Sequence, residues 1–290
     1  MTVLISLIGE QPIPNLLPMR ALDAERNILA FTPTTQRVAI NLKAMIPNAE
    51  LFEIEAYDLT EAVKQTKSLC QSGTIVNLTG GTKPMALAAY EAARSLLLPV
   101  VYLQSEGGSS VLYHYGFQNG EPVQVKRETL GTLLNIDDYL LAHGLKPTAY
   151  QGPVNAQEAG LRHWLEAHVE ECRTNLVFEA FELDFVLRRG NRVAVLEAKM
   201  KRDNNRTGID QLNTACGRSY LGTYTGKILA VSKPLGSQLS HLAEARQIKV
   251  VHISGQVERR TGRLILSSES QKRLSAILEK ALGSATDVWT

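Results

Sequence analysis

Cysteine is scarce in this sequence: three residues in 290, at positions 70, 172 and 216, none of them in a Cys-x-x-Cys pair. An odd, scattered set gives neither a disulfide framework nor a zinc site, so these read as free thiols. Long apolar runs are missing too. The longest, Leu96–Leu103, is far too short to span a bilayer and is broken by Pro99, so no membrane segment is expected. The opening MTVLISLIGE lacks a basic leader and a small-residue cleavage site, which makes it a first strand and places the chain in the cytoplasm. Histidine shows no metal spacing: His163 and His168 do not have the i, i+4 relation of a His-Glu-x-x-His helix, and Trp164 with His168 reads as helix packing. There is no G-x-x-x-x-G-K-[ST] loop, which disfavours a nucleoside triphosphatase, and no nucleophile elbow for a serine or cysteine hydrolase. No internal repeat or low-complexity segment is present.

What is present divides into two halves. Residues 1–150 carry 11 Lys/Arg against 14 Asp/Glu, a net −3, whereas residues 151–290 carry 20 against 15, a net +5. The second half is the better candidate for meeting a polyanion. In the first half, apolar runs at Val3–Ile8, Ile28–Phe31, Leu51–Glu55, Thr74–Leu78 and Val100–Leu103 alternate with helical patterns at Gln36–Met45, Leu59–Cys70 and Pro84–Leu97. That rhythm predicts βαβ units and a mainly parallel, Rossmann-like sheet. Asn119-Gly120 marks a hairpin between short strands at Val111–Tyr115 and Pro122–Val125, an antiparallel edge. A short helix near Ile136–His143, then Gly144, Pro147, Gly152 and Pro153, form the connection. The domains read as 1–130, a linker over 131–153, and 154–290. The second domain opens with a helix over Asn155–Arg173. Strands follow at Leu176–Phe178, Leu183–Arg188, Arg192–Met200, Lys227–Val231 and Lys249–Ile253, with helices at Ile209–Tyr220, Gly236–Gln247 and Glu269–Leu282.

Two stretches carry chemistry. After the strand Thr74–Leu78 come Thr79, Gly80, Gly81, Thr82, Lys83 and Pro84, then a helix. Glycines let the backbone approach a ligand closely, and a helix start supplies unpaired N–H groups and a positive dipole end, so an anion such as a phosphate fits here. The plainer reading is a tight βα turn with Thr82 as a cap; Lys83 favours the anion. In the second half, Asp184 lies near the start of one strand, with Glu197 and Lys199 on the next, joined by Arg189-Gly190-Asn191. Strand alternation puts Glu197 and Lys199 on one face with the Ala198 carbonyl between them. Converging carboxylates repel unless a divalent cation neutralises them, and hard oxygen ligands favour Mg²⁺ or Mn²⁺. The plainer reading is a solvated surface hairpin; against it stands the apolar run Val193–Leu196, which marks a central strand. Glu182, which would share the face of Asp184, and Gln211 on the following helix are lesser candidates. Lys201, Arg202 and Arg206 are placed to hold a nucleic-acid backbone, or form a plain turn with Asp203, Asn204 and Asn205.

The segments Gly9–Met19 (GEQPIPNLLPM) and Asn77–Met85 (NLTGGTKPM) resemble the CARF domain of type III CRISPR accessory proteins, over about the first half of the chain. The resemblance implies a homodimer whose paired loops hold one cyclic oligoadenylate, cyclic tetraadenylate being the favoured ring, as an allosteric activator. Thr79, Gly80, Gly81, Thr82 and Lys83 would grip it, with Gln11 and Asn15 nearby, although Asn15 also suits a helix cap for Leu16 onward. The D-x₁₂-E-A-K pattern resembles the PD-(D/E)xK nuclease core over about Asn155 to Ser232. That resemblance makes Glu166, in WLEAHV, the helix acid of the metal site beside Asp184, Glu197 and the Ala198 carbonyl, with Lys199 assisting; a solvated Glu166 is the alternative. The fold class expected is therefore α/β, a Rossmann-like CARF domain plus a restriction-endonuclease-like domain. Together the two look like the CRISPR ancillary nuclease or Card group. This implies a metal-dependent endonuclease of antiviral defence that, once activated, cuts single-stranded DNA or RNA or nicks supercoiled DNA. The rivals are a cyclic-nucleotide-responsive DNA-binding transcription regulator without nuclease activity, which would need a helix-turn-helix, and a repair or restriction-type endonuclease indifferent to nucleotides.

Overall fold

The computed structural model describes residues 1–150, 155–200, 205–258, 260 and 263–283. The chain divides into two compact units: residues 1–134 with 141–144, and residues 135–140 with 145–290.

The first unit runs β1 (Val3–Leu7), α1 (Ile13–Leu22), β2 (Arg26–Phe31), α2 (Gln36–Met45), β3 (Ala49–Glu53), α3 (Leu59–Leu69), β4 (Thr74–Asn77), α4 (Lys83–Ser95), β5 (Val100–Glu106), β6 (Ser109–Gln118) and β7 (Glu121–Thr129). The sheet order is β3-β2-β1-β4-β5-β6-β7. β1 to β5 are parallel, while β6 and β7 add antiparallel. All five residues of β1 are buried, as a strand covered on both faces requires. The hairpin turn sits where the sequence places it: Asn119 and Gly120 both adopt positive φ, 53° and 80°, the conformation a two-residue turn needs to match strand twist. Its strands run further than the apolar pattern suggested because cross-strand pairing carries polar residues along. The helix α1 is touched in the sequence reading only as the alternative in which Asn15 caps a helix from Leu16 onward; it begins earlier, at Ile13. Pro12, Pro14 and Pro18 argue against a helix, yet Pro12 holds the N-cap position and Pro18 stands in the interior, packed among residues that bury Ile13, Leu16, Leu17 and Met19.

The short helix α5 (Ile136–Ala142) is divided between the units. The second unit continues with β8 (Ala149–Tyr150), α6 (Ala156–Glu166), β9 (Glu171–Val177), β10 (Glu182–Arg189), β11 (Arg192–Lys199), α7 (Asn205–Ala215), β12 (Gly226–Val231), α8 (Ser237–Ala245), β13 (Lys249–His252), β14 (Gly255–Val257), β15 (Leu264–Leu266) and α9 (Ser268–Leu282). Its six-stranded sheet has the order β13-β12-β11-β10-β9-β8, and β14-β15 form a separate hairpin. β11, β12 and β13 are parallel; β8 to β11 alternate in direction.

The helix expected over Asn155–Arg173 is shorter. It begins where Asn155 accepts from the amides of Gln157 and Glu158, each at 3.0 Å, and ends at Glu166. Residues 171–177 leave the helical pattern to pair with β8 on one side and β10 on the other; the gain of two ladders outweighs the continuing 3.6-residue apolar spacing. One face of the sheet, Phe185, Leu187, Leu196, Ile228 and Ala230, packs against Leu161 and Leu165 of α6 and Leu274 and Leu278 of α9. On the other, α7 lies directly on β11 and β12: a Cβ at Gly208 would stand 2.8 Å from Leu229 and 3.0 Å from Lys199. No helix among the described residues is long and apolar enough to cross a membrane.

Gly160 lets β15 rest on the backbone of α6, since a Cβ there would lie 2.1 Å from the carbonyl oxygen of Leu264. Gly160→Ala is expected to lower stability by about 1–3 kcal/mol. Urea denaturation measures this, and a change below about 0.5 kcal/mol would contradict the packing.

Candidate functional site

The glycine loop of the first unit joins β4 to α4 and touches the loop after β1. A Cβ on Gly80 would lie 2.1 Å from the Leu7 carbonyl oxygen, and one on Gly9 would lie 3.2 Å from the Gly81 nitrogen. Gly81 adopts a φ of 76°. Only glycines allow so close an apposition. Thr82 caps α4, accepting from the Met85 amide at 3.2 Å and donating to the Ala56 carbonyl at 2.8 Å. Thr79 donates to Asn77 Oδ1 at 2.6 Å and accepts from the Leu103 amide at 2.9 Å. Both hydroxyls are thus spent on shaping the loop. The amides of Gly80, Gly81 and Lys83 have no acceptor among the described residues, and the Lys83 side chain is exposed.

Asn15 is placed differently from the expectation. It lies inside α1, whose N-cap is Pro12, and is 0% exposed, its amide nitrogen within 2.6 Å of where a Gly80 Cβ would be. It supports the loop from beneath instead of facing solvent or capping a helix. Gln11 is half-buried, with its carbonyl oxygen unpartnered. The residue the sequence reading passed over is Asn77. Fully buried, it donates to Ser6 at 3.2 Å and Asn15 at 3.4 Å and accepts from both the amide and hydroxyl of Thr79. The signal was available: an asparagine at the last position of an apolar strand needs partners, and the loop is what it holds.

In the second unit, antiparallel pairing of β10 with β11, joined by Gly190 and Asn191, brings Asp184 beside Glu197. The two carboxyls share a hydrogen bond. Asp184 also accepts from the Ala198 amide at 2.8 Å, and Lys199 Nζ lies 2.5 Å from Glu197 Oε1. The ladder between β9 and β10 is interrupted opposite Asp184, where Asn175 has a φ of 48°. Glu197 is only 2% exposed. Burial, and then the negative charge of Asp184, push its carboxyl up to about 7 against the pull of Lys199. Burial raises Asp184 too, with the Ala198 amide and Lys199 opposing and Glu158 adding to the rise.

Glu166 is not brought to this pair. It closes α6 on an exposed face, bound to Arg162 at 2.7 Å. The helix acid whose charge reaches Asp184 is Glu158, in the first turn, where it also accepts from Asn155 at 2.6 Å. Glu158 was missed because WLEAHV drew attention to the other end of the helix. Among the described residues no cluster of three or more His, Cys, Asp or Glu is arranged for a metal ion, so the available donors are Asp184, Glu197 and the Ala198 carbonyl. These fit a hard divalent cation: a buried and a half-buried carboxylate with a single lysine bound to one of them leave negative charge unmatched, and Mg²⁺ is commonly held by one or two carboxylates with water completing its shell. Gln211 Oε1, on α7, is buried with no partner among the described residues. Glu182 is exposed, and Arg206 pairs with Asp210 at 4.0 Å. Lys201 and Arg202 lie outside the described residues.

The first unit matches a known family: residues 3–139 fit the model for the Card1 CARF domain. The whole fold is similar to Can2 from Sulfobacillus thermosulfidooxidans, solved in complex with cyclic tetra-adenylate, at a TM-score of 0.73 and 17% identity over 98% of this chain and 100% of that one. Protein VC1899 from Vibrio cholerae gives a TM-score of 0.71 at 13% identity, over 98% and 99%. A type III CRISPR defence DNA nuclease activated by cyclic oligoadenylate gives 0.61 at 16% identity, covering 94% of this chain and 51% of that chain. At these identities the likeness is one of fold, an α/β domain with a mixed sheet followed by a second α/β domain. No curated protein matches the sequence.

A carboxyl raised from 4.5 in the unfolded chain to about 7 in the folded one keeps a proton on the native state that the unfolded state has lost. Stability without metal therefore falls as pH rises between those two values and stays low above them, by at most about 3 kcal/mol. In EDTA, urea denaturation at about pH 5 and about pH 8 reads this loss. Glu197→Gln should lose much less, and equal losses in both proteins would refute the assignment.

Proposed function

We propose that this chain, whose residues 3–139 match the model for the Card1 CARF domain, is an effector of type III CRISPR defence: a metal-dependent nuclease switched on by a cyclic oligoadenylate. The observation that carries the nuclease reading is the buried pair Asp184 and Glu197 with Lys199 at 2.5 Å. Carboxylates are placed in such surroundings at a cost of several kcal/mol, and function is the common reason. Mn²⁺ or Mg²⁺ held by Asp184, Glu197 and the Ala198 carbonyl would supply Lewis-acid stabilisation of charge on a phosphodiester. Lys199, fixed between Glu197 and the surface of α7, orients a water for in-line attack and stabilises the oxygen that gains charge. Ala198 holds Asp184 in place by donating its amide to Oδ2 at 2.8 Å.

The activator reading rests on the glycine loop. Three unpaired amides at the start of α4, with the Lys83 ammonium beside them, suit a phosphodiester of a nucleotide ring. Cyclic tetraadenylate, the ligand of the similar Can2 structure, is the activator of choice, held between two copies of this chain because a two-fold symmetric ring and an isologous dimer match. Ligand drives cutting only by favouring the active dimer geometry over the idle one. A transcription regulator would contact DNA through a helix-turn-helix, whereas the corresponding stretch of this chain is β10 and β11.

Plasmid and single-stranded DNA or RNA, incubated with Mn²⁺ in the presence and absence of cyclic tetraadenylate, test the proposal. Cutting is expected only with the activator. Glu197→Ala and Lys199→Ala should each reduce it by at least about 100-fold while leaving activator binding unchanged, and Lys83→Ala should raise the activator concentration needed by about tenfold. Cutting that ignores the activator, or that survives Glu197→Ala, would overturn it.

A further inference from the structure

We propose that the groove between α6, the β14–β15 hairpin and the start of α9 is a nucleobase-stacking subsite for a single-stranded nucleic-acid substrate, with His168 as its platform. The inference rests on the nuclease reading for its choice of ligand. Geometrically, a cavity of about 350 Å³, the size of one nucleotide, is lined by His163, Trp164, His168, Arg263, Leu266 and Gln271. Two further depressions continue it. One shares Trp164, His168 and Gln271 and reaches Lys272; the other shares His163 and Arg263 and reaches Arg162.

The two rings at the centre are built for stacking. Trp164 and His168 lie parallel, with centroids 3.8 Å apart and planes 13° from each other. His168 Nδ1 donates to the Trp164 carbonyl at 2.7 Å, and Arg189, itself buried, donates to the His168 carbonyl at 2.7 Å while its other arm holds Gly283. An exposed imidazole is thus fixed by a ring beneath it, a hydrogen bond on its edge and an anchor on its backbone. Such an outer face loses little entropy on receiving a planar partner. Trp164 is 9% exposed, yet its indole N–H finds no acceptor among the described residues; a donor left unmatched in a cavity wall points to an acceptor supplied from outside. The rim mixes charges, with Lys272, Arg263 and an Arg162 paired to Glu166 beside Glu258 and Glu279, so the ring face carries the recognition, and a base stacks on it without regard to sequence. The Trp164 and His168 spacing, which reads from sequence as plain helix packing, becomes a surface feature because α6 ends before His168 and the chain turns outward there.

The test uses full-length protein with Trp289 replaced by Phe, so that Trp164 is the sole indole, in EDTA with cyclic tetraadenylate present. A short fluorescein-labelled oligothymidylate measures affinity by anisotropy, and an unlabelled one measures quenching of Trp164. His168→Ala is expected to weaken binding roughly tenfold or more and His168→Phe to keep it, with both variants melting close to the parent. Quenching of Trp164 should saturate along with the anisotropy. Equal affinity in His168→Ala, or binding without quenching, overturns the subsite. Parallel cutting assays with Mn²⁺ separate the two claims: cutting with no dependence of binding on His168 removes the subsite alone, and His168-dependent binding without cutting supports the subsite and removes the nuclease reading.

Discussion

Two carboxylates held out of water on neighbouring strands set the terms for the second half of this molecule. Asp184 and Glu197 meet because β10 and β11 pair through a two-residue turn, and α7 then closes over them, its glycine at position 208 allowing it to press on Lys199. In that enclosure one lysine does not balance two negative charges. Burial, and then the charge of Asp184, push the Glu197 carboxyl up to about 7 and favour its protonated form; a divalent cation would offset the same charge without the proton. On the proposed reading the proton and the cation are alternatives at one position.

The ligand loop of the first unit follows an opposite strategy. There Asn77, Thr79 and Thr82 each make their bonds within the fold, and what remains for an anion is backbone amide and a single exposed lysine. Side chains shape the loop, and on the proposed reading main-chain groups would receive the ligand, an arrangement suited to phosphate that needs no buried charge. Both sites sit at the carboxyl ends of parallel strands, β4 in one unit and β11 in the other, where open α/β sheets leave room for ligands.

Much of this is legible in the chain itself, and the limits are physical. Strand and helix alternation in the first half follows from apolar runs with strong periodicity, and Asn119-Gly120 fixes its hairpin because few residues tolerate two consecutive positive φ angles. Asp184, Glu197 and Lys199 can be placed together because strand alternation is strict. The proline-rich helix α1 leaves only a weak local trace, a helix from Leu16 onward capped by Asn15, since its stability comes from burying Leu16, Leu17 and Met19. The end of α6 is misread for a related reason: Leu165 and Val169 keep helical spacing, but residues 171–177 gain two strand partners that no local window contains. Glu158 and Glu166 sit at opposite ends of one helix, and only the packing of that helix decides which of them reaches Asp184.

The central claim is that the Asp184 and Glu197 pair is a cation site, and the most direct measurement is the melting temperature as a function of Mn²⁺. At saturating metal the native protein should melt higher by about 5 °C, while Glu197→Gln and Asp184→Asn should show no rise. An unchanged melting temperature in the native protein, or an equal rise in the two variants, would contradict the account.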